Sequence, residues 1–280
     1  MIKDIFLPIL GSSSDDAALE SAIALASANS AQISALVALE VPAPYFSEVG
    51  FAANEASTKA YNQAREAAET LVDKTRRRLA QSHVKSDVQI LEATAAGRGR
   101  AFAARARYFD LTVMGGRESD AAADSATSAT FESLLMQSGR PVIVVPAGAP
   151  LPASPKRVVL AWQPSREATR VVHDVLPILE AGAHLELLII DPDKTRAEEP
   201  EGPGERIAQK LSHLGMPVNI VAKQMQGRSE AESLVRHVDE TNADLLVMGG
   251  YGHSRLRELI LGGTTRTVLD TMNKPVFFEH

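Results

Sequence analysis

The chain has 280 residues, of which 45% are hydrophobic and 23% charged, the balance of a folded globular protein. A net charge of -6 and an aromatic content of 5% argue against a nucleic-acid-binding protein. The absence of cysteine excludes disulfides, thiol catalysis and cysteine-ligated metals. No apolar run reaches the roughly 18 residues of a membrane span, and the N-terminus lacks the apolar stretch of a signal peptide. We therefore expect a cytoplasmic protein.

In the first half, an apolar strand at residues 5–10 precedes residues 12–15, a Ser-Ser-Ser-Asp segment that we interpret as the ordinary start of a helix. The Ala/Glu/Arg-rich sequence of residues 42–82 predicts one longer helix. A strand ending in Val-Met-Gly-Gly at residues 113–116 follows. This alternation of strands and helices is typical of an α/β domain.

Two repeats divide the chain. Val-Met-Gly-Gly recurs at residues 247–250, and the Pro-Val pair that begins at Pro141 recurs at Pro275, both after 134 residues. Upstream, the post-strand serines Ser12 and Ser165 are 153 residues apart, so the first half holds about 19 extra residues. We predict two domains, residues 1–147 and 156–280, joined by a Pro/Ala/Gly-rich linker at 148–155.

The second half shows the strand–helix alternation most clearly. Its apolar runs are residues 158–162, 185–190, 218–222, 245–248 and 275–278. Ser165 is placed to cap one helix, and Ser229 with Glu232 forms a capping box for another. Each half is therefore predicted to be a five-stranded parallel sheet with helices on both faces, and ligands of such sheets bind at the carboxyl ends of the strands.

A glycine-rich segment follows the fourth strand of the second half. Gly249 and Gly252 are separated by nine residues from Gly262, after which Gly263, Thr264 and Thr265 begin a helix. Glycine lets the backbone approach a ligand closely, and the first N–H groups of a helix suit phosphate oxygens. The same glycines would also be found in a segment that merely ends a strand and caps a helix.

This segment resembles the universal stress protein family, whose ATP-binding members carry G-x2-G-x9-G-[ST] after the fourth strand. The Val-Met-Gly strand ends and the terminal Pro-Val strand extend the resemblance to essentially the whole chain. It implies two tandem Rossmann-like domains, of the adenine nucleotide alpha hydrolase-like type, and a role in the stress response. It further implies that the second domain binds an adenine nucleotide, ATP or AMP, with Mg²⁺ as an optional companion.

The resemblance also implies which residues of the second domain contact the nucleotide. They are Trp162, Gln163, Ile190, Met248, Gly249, Gly252, His253, Gly262, Gly263, Thr264 and Thr265. Gly263 departs from the motif by lacking the hydroxyl of Ser or Thr, which Thr264 or Thr265 could replace. Gln163 stands where the family has an adenine-contacting Asp, and its amide can pair with adenine. Simpler interpretations are an exposed turn residue for Gln163, a core residue for Ile190 and a solvated loop residue for His253.

The first half lacks the motif. Glycine is missing at both later positions, and Leu10 occupies the place of the adenine-contacting Asp. Glu118 and Asp120 would repel phosphate. We predict that the first half binds no nucleotide and instead stabilises or regulates the second.

Catalytic signatures are absent from the sequence, which holds no H-E-x-x-H pair, nucleophile elbow or Walker lysine. We predict no catalytic residue and no metal site, and at most slow ATP hydrolysis. Arg255, Arg257 and Arg266 are either triphosphate contacts or ordinary surface charges.

Three functional hypotheses remain: a nucleotide-binding stress-response module, a nucleotide-independent module that binds an unknown regulatory protein through a vestigial pocket, and a crevice for another anionic or apolar ligand. The terminal strand at residues 275–278 is expected to pair with residues 141–145 as an intramolecular pseudo-dimer. A further homodimer stays open.

Overall fold

The computed structural model describes residues 2–41, 52–118, 120–180, 182–195, 202–250 and 263–280. The elements of the first half are β1 (Asp4–Ile9), α1 (Asp15–Asn29), β2 (Gln32–Glu40), α2 (Ala52–Gln81), β3 (Ser86–Ala93), α3 (Arg98–Ala106), β4 (Leu111–Gly115), α4 (Ala121–Gln137) and β5 (Val142–Val145). The predicted long helix is α2, with 30 residues.

The second half repeats this order with one additional short helix. Its elements are β6 (Arg157–Ala161), α5 (Arg166–Val175), a 3-10 turn (Leu176–Ile178), β7 (His184–Ile190), α6 (Pro192–Thr195), α7 (Glu205–His213), β8 (Val218–Lys223), α8 (Glu230–Thr241), β9 (Leu245–Gly249), α9 (Gly263–Thr271) and β10 (Val276–Glu279). All five strands predicted for this half are confirmed.

The strands form a single ten-stranded sheet in the order β3-β2-β1-β4-β5-β10-β9-β6-β7-β8. Neighbouring strands within each half are parallel. The halves meet at an antiparallel pair in which Val276 lies opposite Val144 and Phe278 opposite Val142. The predicted pseudo-dimer pairing is therefore confirmed, and it joins the two predicted sheets into one.

Side chains on alternate sides of the strands build two cores, because successive residues of a strand point to opposite faces. One core packs against α1, α2, α5 and α7. The other packs against α3, α4, α8 and α9. Both cores run across the two halves, so the sheet is covered on both faces as predicted.

Further contacts fix the halves to each other. Phe131 of α4 packs edge-on against Phe278 of β10, with ring centroids 5.0 Å apart. Arg117 Nη1 donates to the Asp270 carbonyl oxygen at the end of α9, at 2.5 Å. A guanidinium there complements the negative end of the helix dipole. Each half thus presents its carboxyl edge to helices of the other.

Candidate functional site

The strand order of the second half reverses between β6 and β9. The chain passes through β7 and β8 on one side of β6 and returns to β9 on the other. Such a reversal opens a crevice beyond the carboxyl ends of the two strands, the usual ligand site of open α/β sheets. Ala161 of β6 lies beside Met248 of β9 and Leu188 of β7. The segments after these strands, together with the start of α9, therefore flank one crevice.

Most of the predicted residues that the structure describes gather at this edge. Ile190 and Met248 are buried in the core under α8 and α9. Trp162 is buried in the core on the opposite face. Its side chain is therefore not brought together with those of Ile190 and Met248. Thr265, in the first turn of α9, is buried as well. Three predicted residues, Gly252, His253 and Gly262, lie outside the described residues, as do Arg255 and Arg257.

A hydrogen-bonded carboxylate occupies the crevice. Gln163 Nε2 donates to Glu230 Oε1 at 2.5 Å, and Thr264 Oγ1 donates to Glu230 Oε2 at 3.2 Å. The three residues come from the segment after β6, from the first residue of α8 and from the first turn of α9. All three are half-buried. Glu230 therefore links the predicted adenine-contacting residue to a predicted phosphate-contacting one.

Glu230 was not predicted from the sequence. The signal that could have found it is the capping box of α8, in which Ser229 accepts from the Glu232 N–H and Glu232 accepts from the Ser229 N–H. This motif places the start of α8 at the carboxyl edge, and the residue next to the cap points into the crevice. The positive end of the α8 dipole favours a carboxylate there.

The glycines at the end of β9 serve packing. A Cβ on Gly249 would lie 2.9 Å from the Ala168 nitrogen and from the Glu167 carbonyl carbon, both in the backbone of α5. A Cβ on Gly250 would lie 2.8 Å from the Leu135 side chain of the first half. Gly263 is different, because it is exposed and a Cβ there would meet no atom of the described residues within 4 Å. None of the described residues therefore obstructs a side chain at Gly263.

The crevice of the first half, between β1 and β4, is closed by a side chain. Glu118 stands 134 residues before Gly252 of the motif. Its carboxylate accepts from Ser13 N and Oγ at 3.1 and 2.8 Å, and from Ser14 N and Oγ at 3.3 and 2.9 Å. Burial opposes ionisation, but these hydrogen bonds outweigh it and lower the pKa of Glu118. The structure thus puts a built-in anion at the start of α1.

Neighbouring polar groups of the first crevice are also held locally. Asp15 Oδ2 accepts from the backbone N–H groups of Leu10, Gly11 and Ser12. Asp120 Oδ1 accepts from Ala123 N in the first turn of α4. Ser14, the residue before α1, makes no side-chain capping bond of its own. Its hydroxyl donates to Glu118 and to the Gly116 carbonyl oxygen instead.

Other ionisable groups give no sign of a metal centre. Within the described ranges, no group of three or more His, Asp or Glu side chains is arranged to hold a metal ion. The buried His237 pairs with Glu186, with 2.7 Å between Nε2 and Oε2. Arg266 is exposed on α9. No helix in the part of the chain that the structure describes is long and apolar enough to cross a membrane.

Relatives of known structure share this architecture. The crystal structure of a universal stress protein from Archaeoglobus fulgidus superposes with a TM-score of 0.74 at 16% identity, covering 99% of this chain and 95% of that one. A universal stress protein from Pseudomonas aeruginosa gives a TM-score of 0.58 at 13% identity, covering 99% and 93%. At these identities the similarity shows the fold alone.

Sequence comparison gives relatives of the same kind. Universal stress protein Slr1230 of Synechocystis is 28% identical over 174 residues, and MJ0577 of Methanocaldococcus jannaschii is 30% identical over 79 residues. These alignments cover 60% and 28% of this chain, and they span 57% and 47% of the respective relatives. The model of the universal stress protein family matches twice, at residues 1–146 and 155–278. The chain therefore belongs to the universal stress protein family and carries two copies of its domain in tandem.

Proposed function

We propose that the second domain binds an adenine nucleotide, ATP or AMP, in the crevice between β6 and β9. On this proposal the chain is a regulatory module of the stress response that binds nucleotide, with hydrolysis slow at most. The observation that carries it is the convergence of Gln163, Thr264 and the N-terminus of α9 at the strand reversal. An amide can recognise the adenine edge, and a hydroxyl with free helical N–H groups suits phosphate.

Gly263 provides a direct test. Gly263→Ser adds the hydroxyl of the family motif, and its Cβ meets none of the residues that the structure describes. A hydrogen bond to a charged group contributes roughly 1.5–3 kcal/mol, so we expect the Kd for ATP to fall by about 10- to 150-fold. Gly263→Ala is the matched control, because it restricts the backbone equally but supplies no donor. Isothermal titration calorimetry of the three proteins with ATP and AMP, with and without Mg²⁺, measures the difference.

The proposal fails if none of the three proteins binds either nucleotide at millimolar concentration. If the Ser and Ala variants have equal affinity for the nucleotide, no phosphate of the bound nucleotide contacts residue 263. Native mass spectrometry of the freshly purified chain adds an independent readout, since a retained ligand of another mass would favour a different small molecule.

The closed crevice of the first half favours a second candidate function for that domain. At the strand reversal of the first half, Glu118 occupies the donor groups of Ser13 and Ser14 that could otherwise bind an anion. We propose that it acts on the second domain and on a regulatory protein partner through its surface. A protein partner that co-purifies equally with and without nucleotide would support a nucleotide-independent protein-binding function for the whole chain.

A further inference from the structure

Glu230 places a negative charge where a nucleotide phosphate would be expected. Its carboxylate accepts the Thr264 hydroxyl hydrogen at the first turn of α9, 3.2 Å away. In the proposed site, a phosphate at this helix start would accept a hydrogen bond from the same hydroxyl. A phosphate bonded to this hydroxyl would lie close to the Glu230 carboxylate, and the two anions would repel, more strongly with each phosphate charge and with burial. Glu230 and the phosphates therefore compete for one region of the crevice.

Glu230 also fixes the orientation of the predicted adenine contact. An ionised carboxylate only accepts hydrogen bonds, so the Gln163 side chain must present its NH₂ group to Glu230. The Gln163 carbonyl oxygen remains as the acceptor, which suits the amino group of adenine. Recognition of the base is therefore compatible with Glu230, whereas the binding of a polyphosphate is opposed by its charge.

In the first half, an internal carboxylate already occupies the donor groups that a ligand anion would need. Glu118 receives four hydrogen bonds from Ser13 and Ser14 and is 8% exposed. From the residues that the structure describes, Glu230 receives two, both from side chains, and it is half-buried. A ligand that displaces Glu230 therefore breaks fewer bonds than one that displaces Glu118. The carboxylate of Glu118 is therefore held firmly in the first domain, whereas a ligand can displace that of Glu230 in the second.

We propose that Glu230 is a specificity-determining residue that selects adenine ligands with few phosphate charges and weakens the binding of free ATP. This inference rests on the proposed nucleotide site and adds the number of phosphates that the site accepts. A divalent cation on the phosphates reduces the repulsion, so the discrimination shrinks when Mg²⁺ is added.

The test compares Glu230→Gln with the wild-type chain for adenosine, AMP, ADP and ATP, by calorimetry without divalent cations. Gln retains the size of Glu and removes the charge. We expect the affinity for ATP to rise about tenfold, that for adenosine to change less than about threefold, and AMP and ADP to fall between them. Asp239→Asn is the control, because it removes the same charge from an exposed residue near the other end of α8.

The outcomes separate this inference from the proposed function. An equal gain for all four ligands, or weaker ATP binding in Glu230→Gln, would overturn the role of Glu230 and leave nucleotide binding intact. ATP binding by the variant alone would support both. If neither protein binds any of the four ligands, both proposals fall. Glu230→Ala repeats the series, and matching thermal unfolding midpoints confirm that each variant is folded.

Discussion

Glu279 is a buried carboxyl group at the junction of the two halves. It is 1% exposed, and Arg170 Nη2 of α5 lies 3.1 Å from its Oε1. Burial, and next the charge of Asp174, raise the pKa of Glu279 to about 7 from the usual 4.5, against the opposing effects of Arg170 and Arg140. The equivalent residue of the first half, 134 positions earlier, is the buried Val145. The second half therefore carries an ionisable group where the first has an aliphatic one.

This pKa predicts a pH-dependent stability. The folded chain retains the proton of Glu279 up to about pH 7, whereas the unfolded chain loses it near pH 4.5. The stability that this group contributes is fully present below about pH 4.5 and is lost progressively as the pH rises to about 7, by on the order of 3 kcal/mol. Glu279→Gln removes this dependence. Urea unfolding between pH 5 and 8 should show the wild-type chain losing stability relative to the variant.

The exposed Glu66→Gln on α2 is the control for charge removal alone. Unfolding free energies of Glu279→Gln and wild type that run parallel across this pH range would show that Glu279 is already ionised in the folded chain.

At the residue scale, prediction from the sequence succeeded where the partners are neighbours in the chain. The Ser165 cap and the Ser229–Glu232 box are confirmed because a capping side chain bonds to its own helix. Glu118 was expected to repel phosphate. Its hydrogen bond with Ser13 was not predicted, because the two residues are 105 positions apart in the chain. A contact of this kind depends on which loops the folded sheet brings together, and this cannot be predicted from a single sequence.

At the element scale, Gly249 ties the end of β9 to the start of α5. Gly249→Ala would set a Cβ 2.9 Å from two backbone atoms of α5, so the helix must shift. We expect a loss of about 1–3 kcal/mol of unfolding free energy. Gly263→Ala is the matched control. Its methyl group meets no described atom within 4 Å in the first turn of α9, so it should change stability by no more than about 1 kcal/mol, in the stabilising direction. Equal effects in denaturant unfolding would show that α5 accommodates the methyl group.

The elements themselves were predictable because their hydrophobic patterns are strong. Each predicted strand of the second half agrees with the structure to within about one residue at either end. The short α6 and the helix α7 were not predicted. In α7 only Ile207, Ala208 and Leu211 are buried, too few to distinguish a helix by periodicity. The glycine-rich loop remains a prediction, since residues 251–262 lie outside the described ranges.

At the scale of the whole molecule, we expect the two halves to unfold as one cooperative unit, because the seam between β5 and β10 lies inside a continuous sheet. The terminal Pro-Val strand predicted this pairing. The contacts across it were not predicted, since they require the relative placement of α4 and β10. Phe131 and Phe278 are both buried and belong to different halves. Unfolding one half would therefore expose apolar surface of the other.

This cooperativity can be measured with Phe278→Ala, which we expect to lower the unfolding free energy by about 3–5 kcal/mol. Phe102→Ala, which removes a ring packed against Phe6 inside the first half, is the comparison. Both variants should shift one common transition in calorimetry.

The pair Phe131→Ala and Phe278→Ala should show a coupling of about 0.5–1.5 kcal/mol in a double-mutant cycle, whereas Phe102→Ala and Phe278→Ala should be additive. Two separate transitions, with Phe102→Ala moving one of them alone, would mean that the halves fold independently despite their shared sheet.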